Sequence, residues 1–188
     1  MRFNERKVSQ MAAYFLAKQG GRMPILKLMK LLYLADRESL DRYEEPISGD
    51  RMVSMPHGPV LSRTYELMNG AGGVEQDRWN DWVSDRAGYE VGLRDEAALL
   101  VRESLMALSD ADVEVLDHVW QDYGHLSKYQ IRDLTHDMCK EWTDPHGSSK
   151  PIPYRDVFLA LGRDLDHARE AEEHLKSAQA IDAIFATL

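Results

Sequence analysis

Apolar residues are densest between Pro24 and Tyr43, where they cover nearly the whole circumference of a helix. Such a pattern is typical of a helix packed against several neighbours. Pro24 suits the first helical position, where its missing N–H costs no hydrogen bond. Lys27 and Lys30 interrupt the pattern on one narrow polar edge. We therefore predict a buried central helix at Pro24–Tyr43, with both lysines at the surface.

Amphipathic spacing predicts further helices on both sides of this segment. Asn4 is placed to cap the first of them, and the pair Gly20-Gly21 ends it. The other predicted helices are Val60–Asn69, Asp95–Leu108, a segment capped by Ser109 and ended by Gly124, a segment from the capping box at Ser127 to Trp142, and Tyr154–Thr187 with a break at Gly162.

Strand signals are weaker and indicate one sheet only. Trp79–Val83 and Tyr89–Leu93 flank a turn and predict a small β-hairpin. Arg51–Met55 is predicted to be extended, and His57-Gly58-Pro59 to form a turn, because glycine admits positive φ and proline fixes its own φ. Loops are expected at 44–50, 71–73 and 144–153.

Together these elements predict a mostly α fold, a compact helical domain around the buried central helix with a small β-hairpin. We expect that domain to cover residues 1–162. Residues 163–188 are predicted to form a C-terminal helical arm packed on the same domain, because Glu172 interrupts the heptad spacing that a coiled coil needs. A chain of 188 residues can bury a core without disulfides or metal.

Charge is unevenly distributed along the chain, whose net charge is −9. Residues 1–42 hold nine basic against four acidic residues, a balance of +5, and the remainder holds 14 against 28, a balance of −14. Most of this surface repels phosphate, so we expect no nucleic-acid partner. The polar N-terminus and the short apolar runs predict a soluble protein with no membrane partner. Cys139 is the only cysteine, which fits a reducing cytoplasm.

Candidate catalytic residues are few. His136, Cys139 and His146 fall within eleven residues, so a zinc site or a thiol-dependent hydrolase is one hypothesis. No CxxC or HExxH pattern supports it, and capping or core roles account for the same residues. No serine lies in a GxSxG motif, and the glycines at 70–73 lack the lysine of a phosphate loop. We therefore expect no enzymatic activity, no cofactor and no metal.

Asp36 follows the apolar run of the central helix, where an unpaired carboxylate is costly. Two interpretations stay open. Either the side chain reaches solvent at the helix edge, or it accepts hydrogen bonds from the nearby loop and pins that loop. In the second case, the expected donors are the side chain of His57 and the backbone N–H of Gly58.

Three blocks follow one another along the chain: LKLMKLLYLAD at Leu26–Asp36, then His57-Gly58-Pro59-Val60 with Tyr65, then Tyr123-Gly124 with Ser127, Leu134-Thr135-His136 and Trp142. They resemble the KLQKLLYFAD, (Y/H)GPV and YG…S…L(S/T)H…W elements of the Panacea domain, the SocA-like or phage-associated GepA-like group. Their order and spacing, between about Pro24 and Pro153, make the resemblance specific.

The resemblance implies an antitoxin of a toxin–antitoxin system. Members of this family are typically encoded beside a small toxin and neutralise it by direct binding, so the implied partner is an adjacently encoded cognate toxin. One branch instead delivers its toxin to an AAA+ protease, which keeps an adaptor role as the alternative. The family is not known for catalysis, in agreement with the scarcity of candidate catalytic residues.

Candidates for the toxin-binding face come from the matching blocks and from the lysines of the central helix. They are Lys27, Lys30, Asp36, His57, Gly58, Pro59, Tyr65, Tyr123, His136 and Trp142. We expect Tyr65 and Trp142 to be core residues, and the two lysines to be the surface contacts because lysine is rarely buried.

Overall fold

The computed structural model describes residues 2–70, 78–84, 86–94 and 104–185. These residues form a mostly α fold, as predicted. The helices are α1 (Glu5–Lys18), α2 (Ile25–Tyr43), α3 (Ser62–Met68), α4 (Arg78–Trp82), α5 (Asp110–Tyr123), α6 (Lys128–Met138), α7 (Tyr154–Ala160) and α8 (Leu165–Phe185). The strands are β1 (Arg22–Pro24), β2 (Met52–Met55), β3 (Gly58–Leu61), β4 (Glu90–Gly92) and β5 (Lys150–Pro151).

Helix α2 lies at the centre of the fold, as its apolar circumference predicts. It contacts α1, α3, α5, α6 and α7 as well as β1 and β3. Leu32, Tyr33 and Leu34 are successive residues and so point in different directions around the helix, yet each is at most 3% exposed. Pro24 is not the first helical residue, because the pairing of β1 with β4 keeps its backbone extended and makes it the N-cap. The buried central helix is confirmed, with its start shifted by one residue.

Side-chain caps begin three of the helices where the sequence predicts. Asn4 accepts a hydrogen bond of 3.0 Å from the backbone N–H of Lys7. Ser109 and Ser127 each form a complete capping box at the start of α5 and α6. These signals act over three residues, so distant packing does not alter them.

Helix α6 ends earlier than predicted, at Met138 instead of Trp142. The backbone leaves helical geometry at Cys139, with φ −86° and ψ 81°. Glu141 is thereby directed into the interior, where its residue is only 8% exposed. Tyr33 and Arg37 of α2 need an acceptor at the centre of the fold, and Glu141 provides it. This requirement overrides the local tendency to continue the helix.

The predicted hairpin of Trp79–Val83 with Tyr89–Leu93 is wrong. Trp79 lies in α4, and both it and Val83, one helical turn later, are buried beside α1. A single bridge between Val83 and Leu93 is all that remains of the predicted pairing. Strand β4 pairs antiparallel with β1, about 70 residues earlier in the chain, a partner that local sequence cannot indicate.

A second sheet, which the sequence did not predict, has the strand order β3-β2-β5. Strands β2 and β3 form a hairpin, which confirms the extended segment from Met52 to Met55. The turn lies at Pro56-His57, one residue earlier than expected, because Gly58 and Pro59 already pair with β2. Because Gly58–Leu61 is a strand, the helix predicted from Val60 begins only at Ser62. Strand β5 lies within the region predicted to be a loop and pairs with Val53 and Ser54.

The C-terminal helices break where predicted, at Gly162, whose φ of 86° lies in the left-handed region. Helix α8 packs Ala168, Ala171 and Leu175 into the same hydrophobic core as α2. The division into a domain ending at residue 162 and a C-terminal arm stays a prediction. None of the described helices combines the length and the apolar character needed to cross a membrane.

Two predicted segments fall largely outside the described residues. Ala71–Gly73 lies there entirely. Of the helix predicted at Asp95–Leu108, residues 104–108 are described, and they form turns rather than α-helix.

Substitutions on α8 test whether its apolar face is part of the core. Leu175 is 2% exposed and Ile181 is 53% exposed on the same helix. Leu175→Ala should lower the free energy of unfolding by about 2–5 kcal/mol, because it leaves a cavity. Ile181→Ala should change it by less than about 0.5 kcal/mol. Equal effects of the two variants in urea denaturation would show that α8 is not docked on the core.

Candidate functional site

Lys30 connects the central helix to the β2–β3 hairpin. Its side chain is fully buried, and Nζ donates a hydrogen bond of 2.8 Å to the carbonyl oxygen of Pro59. Burial lowers the pKa of Lys30 to about 7. The expected surface role of Lys30 is therefore wrong, because its long side chain reaches inward to satisfy a backbone carbonyl of the hairpin.

Gly58 occupies a position that only glycine fits. Its φ of +96° is unfavourable for other residues, and a Cβ there would lie 2.8 Å from Nζ of Lys30 and 3.1 Å from Nε2 of His136. The HGP turn, the central lysine and α6 therefore meet at one point. This is the physical reason for glycine between His57 and Pro59.

His136 stacks on Trp142, with ring centroids 4.3 Å apart and planes 14° from parallel. Nε1 of Trp142 donates a hydrogen bond of 3.0 Å to the carbonyl of Met55, so this pair holds the other end of the hairpin turn. Nε2 of His136 is buried without a hydrogen-bond partner among the described residues. Burial, then the nearby charges of Lys30 and Arg132, lower the pKa of His136 and favour the neutral ring.

Lys27 is also buried, at 6% exposure, so its expected surface role is wrong as well. Its Nζ donates hydrogen bonds of 2.7 Å to Oε1 of Gln19 and to the carbonyl of Gly124. It also lies 5.5 Å from the ring centroid of Trp120. Burial lowers the pKa of Lys27. The lysine thus fixes the end of α5 against α2.

Asp36 pins the loop after α2, which confirms one of the two open interpretations. Its carboxylate accepts a hydrogen bond of 2.9 Å from the backbone N–H of Ser48 and a second from the Ser48 hydroxyl. The prediction that His57 and Gly58 are the donors is wrong, because Ser48 of the loop that follows α2 donates both hydrogen bonds. Burial raises the pKa of Asp36 to about 7.

Asp50, at the end of that loop, accepts hydrogen bonds from the first turn of α3. Its carboxylate accepts hydrogen bonds of 3.1 Å and 2.8 Å from the backbone N–H groups of Arg63 and Thr64, and one of 2.7 Å from the Thr64 hydroxyl. The N-cap residue of α3, Leu61, has no side chain able to do this. Asp36 thus fixes the loop before β2, and Asp50 ties the end of that loop to the start of α3, which follows the hairpin.

A buried charged group at Glu141 was not predicted from the sequence. Its Oε1 accepts hydrogen bonds of 2.7 Å from the Tyr33 hydroxyl and 2.8 Å from Nε of Arg37. Tyr33 and Arg37 lie four residues apart on α2 and so present both donors on one face. That spacing is the only local signal, and it does not identify the acceptor.

The described residues contain no group of three side chains placed to hold a metal ion. Cys139 is 1% exposed, and burial and the nearby Glu141 raise the pKa of its thiol to about 12. A nucleophilic cysteine needs the thiolate, which this environment disfavours. The side chain of His146 is 91% exposed. The geometry thus gives no support to a zinc or thiol hydrolase in this region.

An open groove of about 570 Å³ lies beside the Lys30–Gly58 contact. Five parts of the chain line it: the start of α2, the β2–β3 hairpin, α3, the segment 86–89 before β4, and the start of α6. The partly exposed Leu26 and Met55, with the more deeply buried Met29 and Val60 behind them, make its inner surface largely apolar. Its volume is within the range usual for ligand-binding sites.

The groove contains some of the candidate residues and leaves out others. Lys30, His57 and Tyr65 line it, whereas Lys27, Asp36, Gly58, Pro59, Tyr123, His136 and Trp142 do not. Tyr65 is 37% exposed, so the expectation that it is a core residue is wrong. Trp142 is partly buried against the core, as expected, and so is Tyr123.

Other residues at the groove were missed from the sequence: Arg86, Tyr89, Lys128 and Tyr129. Arg86 and Tyr89 lie in the region that was wrongly predicted to be a hairpin. Because the predicted strand pairing was wrong, it could not place these residues beside the groove. The sequence did contain a local signal that Lys128 has a role other than helix stability, because a cation in the first turn of a helix opposes the helix dipole.

A family model described as "Antitoxin SocA-like, Panacea domain" matches residues 28–143 of the chain. The matched range covers α2 from Leu28 onward, the β2–β3 hairpin, α5 and α6, and hence every contact between Lys30, Gly58, His136 and Trp142. No curated protein and no solved structure is significantly similar to the chain.

The pH dependence of stability tests the burial of Lys30. Its pKa is about 7 in the folded protein and 10.5 for the ordinary group, so above pH 7 the unfolded chain binds more protons than the folded one. Stability conferred by this residue should therefore rise with pH. Between pH 7 and 9, the free energy of unfolding should increase relative to that of Lys30→Met by up to about 1.4 kcal/mol per pH unit. Parallel profiles for the two proteins would contradict a buried Lys30 whose pKa is lowered in the folded state.

Proposed function

The chain belongs to the antitoxin SocA-like, Panacea domain family, and from this membership we propose that it neutralises a cognate toxin by binding the toxin protein directly. The match over residues 28–143 is the observation that carries the proposal. The partner is proposed to be a small protein encoded beside this chain.

The arrangement of the matched residues supports a binding role. Lys30, Gly58, His136 and Trp142 hold the hairpin rigidly against α2 and α6, and an open groove lies next to this scaffold. A preformed surface loses little conformational entropy on association, which favours tight binding. The family role and the rigid groove wall point to the same kind of activity.

Delivery of the toxin to an AAA+ protease is the second candidate. The observation that favours it is the end of α8, where Ile181 is 53% and Phe185 is 70% exposed. Exposed apolar side chains near a terminus are suited to contact another protein. In this case neutralisation depends on proteolysis, and in direct binding it does not.

Co-expression with the adjacently encoded protein tests the proposal and separates the two candidates. We expect that protein to arrest growth alone and the full chain to restore growth, and we expect the purified pair to co-elute in size-exclusion chromatography without any protease. Ile181→Ser combined with Phe185→Ser should leave rescue intact, because neither residue belongs to the groove.

Failure of the unaltered chain to rescue growth would refute the antitoxin role for that pair. Loss of rescue only in the Ile181→Ser, Phe185→Ser variant, with the toxin no longer degraded, would instead establish the adaptor mechanism. The melting temperature of the variant serves as the control for folding.

A further inference from the structure

The groove beside Lys30 is basic on a protein that is otherwise acidic. Apart from tyrosines, the ionisable residues that line it are Lys30, His57, Arg86 and Lys128, all of them basic. The whole chain carries a net charge of −9. Lys30 is fully buried and donates to Pro59, so Arg86 and Lys128 carry the accessible charge of the groove. Acidic residues outnumber basic ones over the rest of the chain, which makes these two cations at one concave site a local exception.

The described contacts of Arg86 at the rim are all to neutral groups. Its guanidinium donates hydrogen bonds to the carbonyl of Gly88 and, over 2.6 Å, to Oδ1 of Asn69, and it lies 5.7 Å from the ring centroid of Tyr89. Among the described residues no carboxylate lies within ion-pair distance of Arg86 or Lys128. Neutral contacts orient the arginine but leave its charge available to a carboxylate.

Lys128 is placed where it does not help the fold. It is the first residue of α6, at the positive end of the helix dipole, where an acidic residue is favoured and a cation is not. Its Nζ lies 5.1 Å from the ring centroid of Tyr129, and both residues line the groove. Helix stability therefore gives no reason for a lysine here, whereas binding of an anionic group does.

Three tyrosines complete the rim, and their rings are accessible. Tyr65 is 37%, Tyr129 is 55% and Tyr89 is 78% exposed. Arginine and tyrosine are enriched in the energetically dominant parts of protein interfaces, because they combine large contact area with hydrogen-bonding ends. Below them, the partly exposed side chains of Leu26 and Met55 provide an apolar surface that is suited to an aliphatic or aromatic side chain.

We propose that this groove binds an acidic segment of the partner protein, with its carboxylates on Arg86 and Lys128 and an apolar side chain against Leu26 and Met55. The inference rests on the proposed antitoxin function for the identity of the partner, and it names the part of the partner that is recognised. The basic groups on an acidic protein supply the charge complementarity that favours acidic segments and rejects basic ones.

A nucleic-acid strand fits the same groove less well. A phosphate backbone carries charge continuously, so it would meet the acidic surface outside the groove. The basic groups within the groove are limited to a few side chains, which suits a short cluster of carboxylates. Binding of an oligonucleotide in preference to acidic peptides is accordingly an outcome that would overturn the inference.

Selection from a phage-displayed library of random 12-residue peptides tests the groove independently of any toxin. The full chain should enrich peptides in which Asp and Glu are several-fold more frequent than in the input library and lie next to apolar residues. Arg86→Glu combined with Lys128→Glu should abolish that enrichment. Arg6→Glu combined with Arg169→Glu changes the net charge equally at exposed residues outside the groove and should retain it.

Lys128→Glu alone provides a control for folding. Glutamate in the first turn of α6 is favoured by the helix dipole, so the melting temperature should stay equal or rise while the affinity for selected acidic peptides falls at least tenfold. Enrichment without acidic bias, or an acidic bias that survives both groove substitutions, would refute the groove. A single-stranded oligonucleotide that displaces the selected peptides at lower concentration than the peptides themselves would do the same.

The two proposals fail separately. If the chain selects acidic peptides through Arg86 and Lys128 but never rescues growth, the groove stands and the antitoxin role fails. If the chain rescues growth and the Arg86→Glu, Lys128→Glu variant rescues equally well, the antitoxin role stands and the groove is not its toxin-binding site.

Discussion

The fold depends on one constraint, which is that a helix enclosed on every side still carries three charged side chains into the interior. Lys27, Lys30 and Asp36 all lie on α2 and are at most 6% exposed. A buried charge without partners is costly, so each must be satisfied from elsewhere in the chain. The partners are the end of α5 for Lys27, the β2–β3 hairpin for Lys30 and the loop after α2 for Asp36. Polar contacts of the central helix therefore determine where its surrounding loops lie.

This arrangement links the core of the protein to its surface. The Lys30 contact holds the hairpin, and the hairpin supplies His57 and Val60 to the groove. Asp50 caps α3, which presents Tyr65 at the same groove. Most signature residues of the family are thus buried and act as positioning groups, although His57 and Tyr65 reach the groove. Arg86, Tyr89, Lys128 and Tyr129 at the rim are not among the residues that match the family blocks.

Sequence reasoning succeeded where the determining contacts are local. The apolar circumference of α2, the caps at Asn4, Ser109 and Ser127, and the break at Gly162 involve neighbouring residues only. It failed where distant segments decide the outcome: β1 pairs with β4, and the buried position of Lys30 depends on a carbonyl 29 residues away. The general rule that lysine is exposed misplaced both central lysines. The family resemblance identified the residues of the scaffold. The groove could not be predicted, because it depends on where the fold places Arg86 and Lys128 in space.

Buried polar contacts of α2 hold the hairpin that forms the groove wall. Amide hydrogen exchange of Lys30→Met, compared with the unaltered protein near pH 7, measures this directly. We expect a selective loss of protection in Met52–Leu61, while amides of α1 and α5 keep theirs, because only the hairpin loses its anchor. Unchanged protection in the hairpin, or a uniform loss across all helices, would contradict this anchoring role.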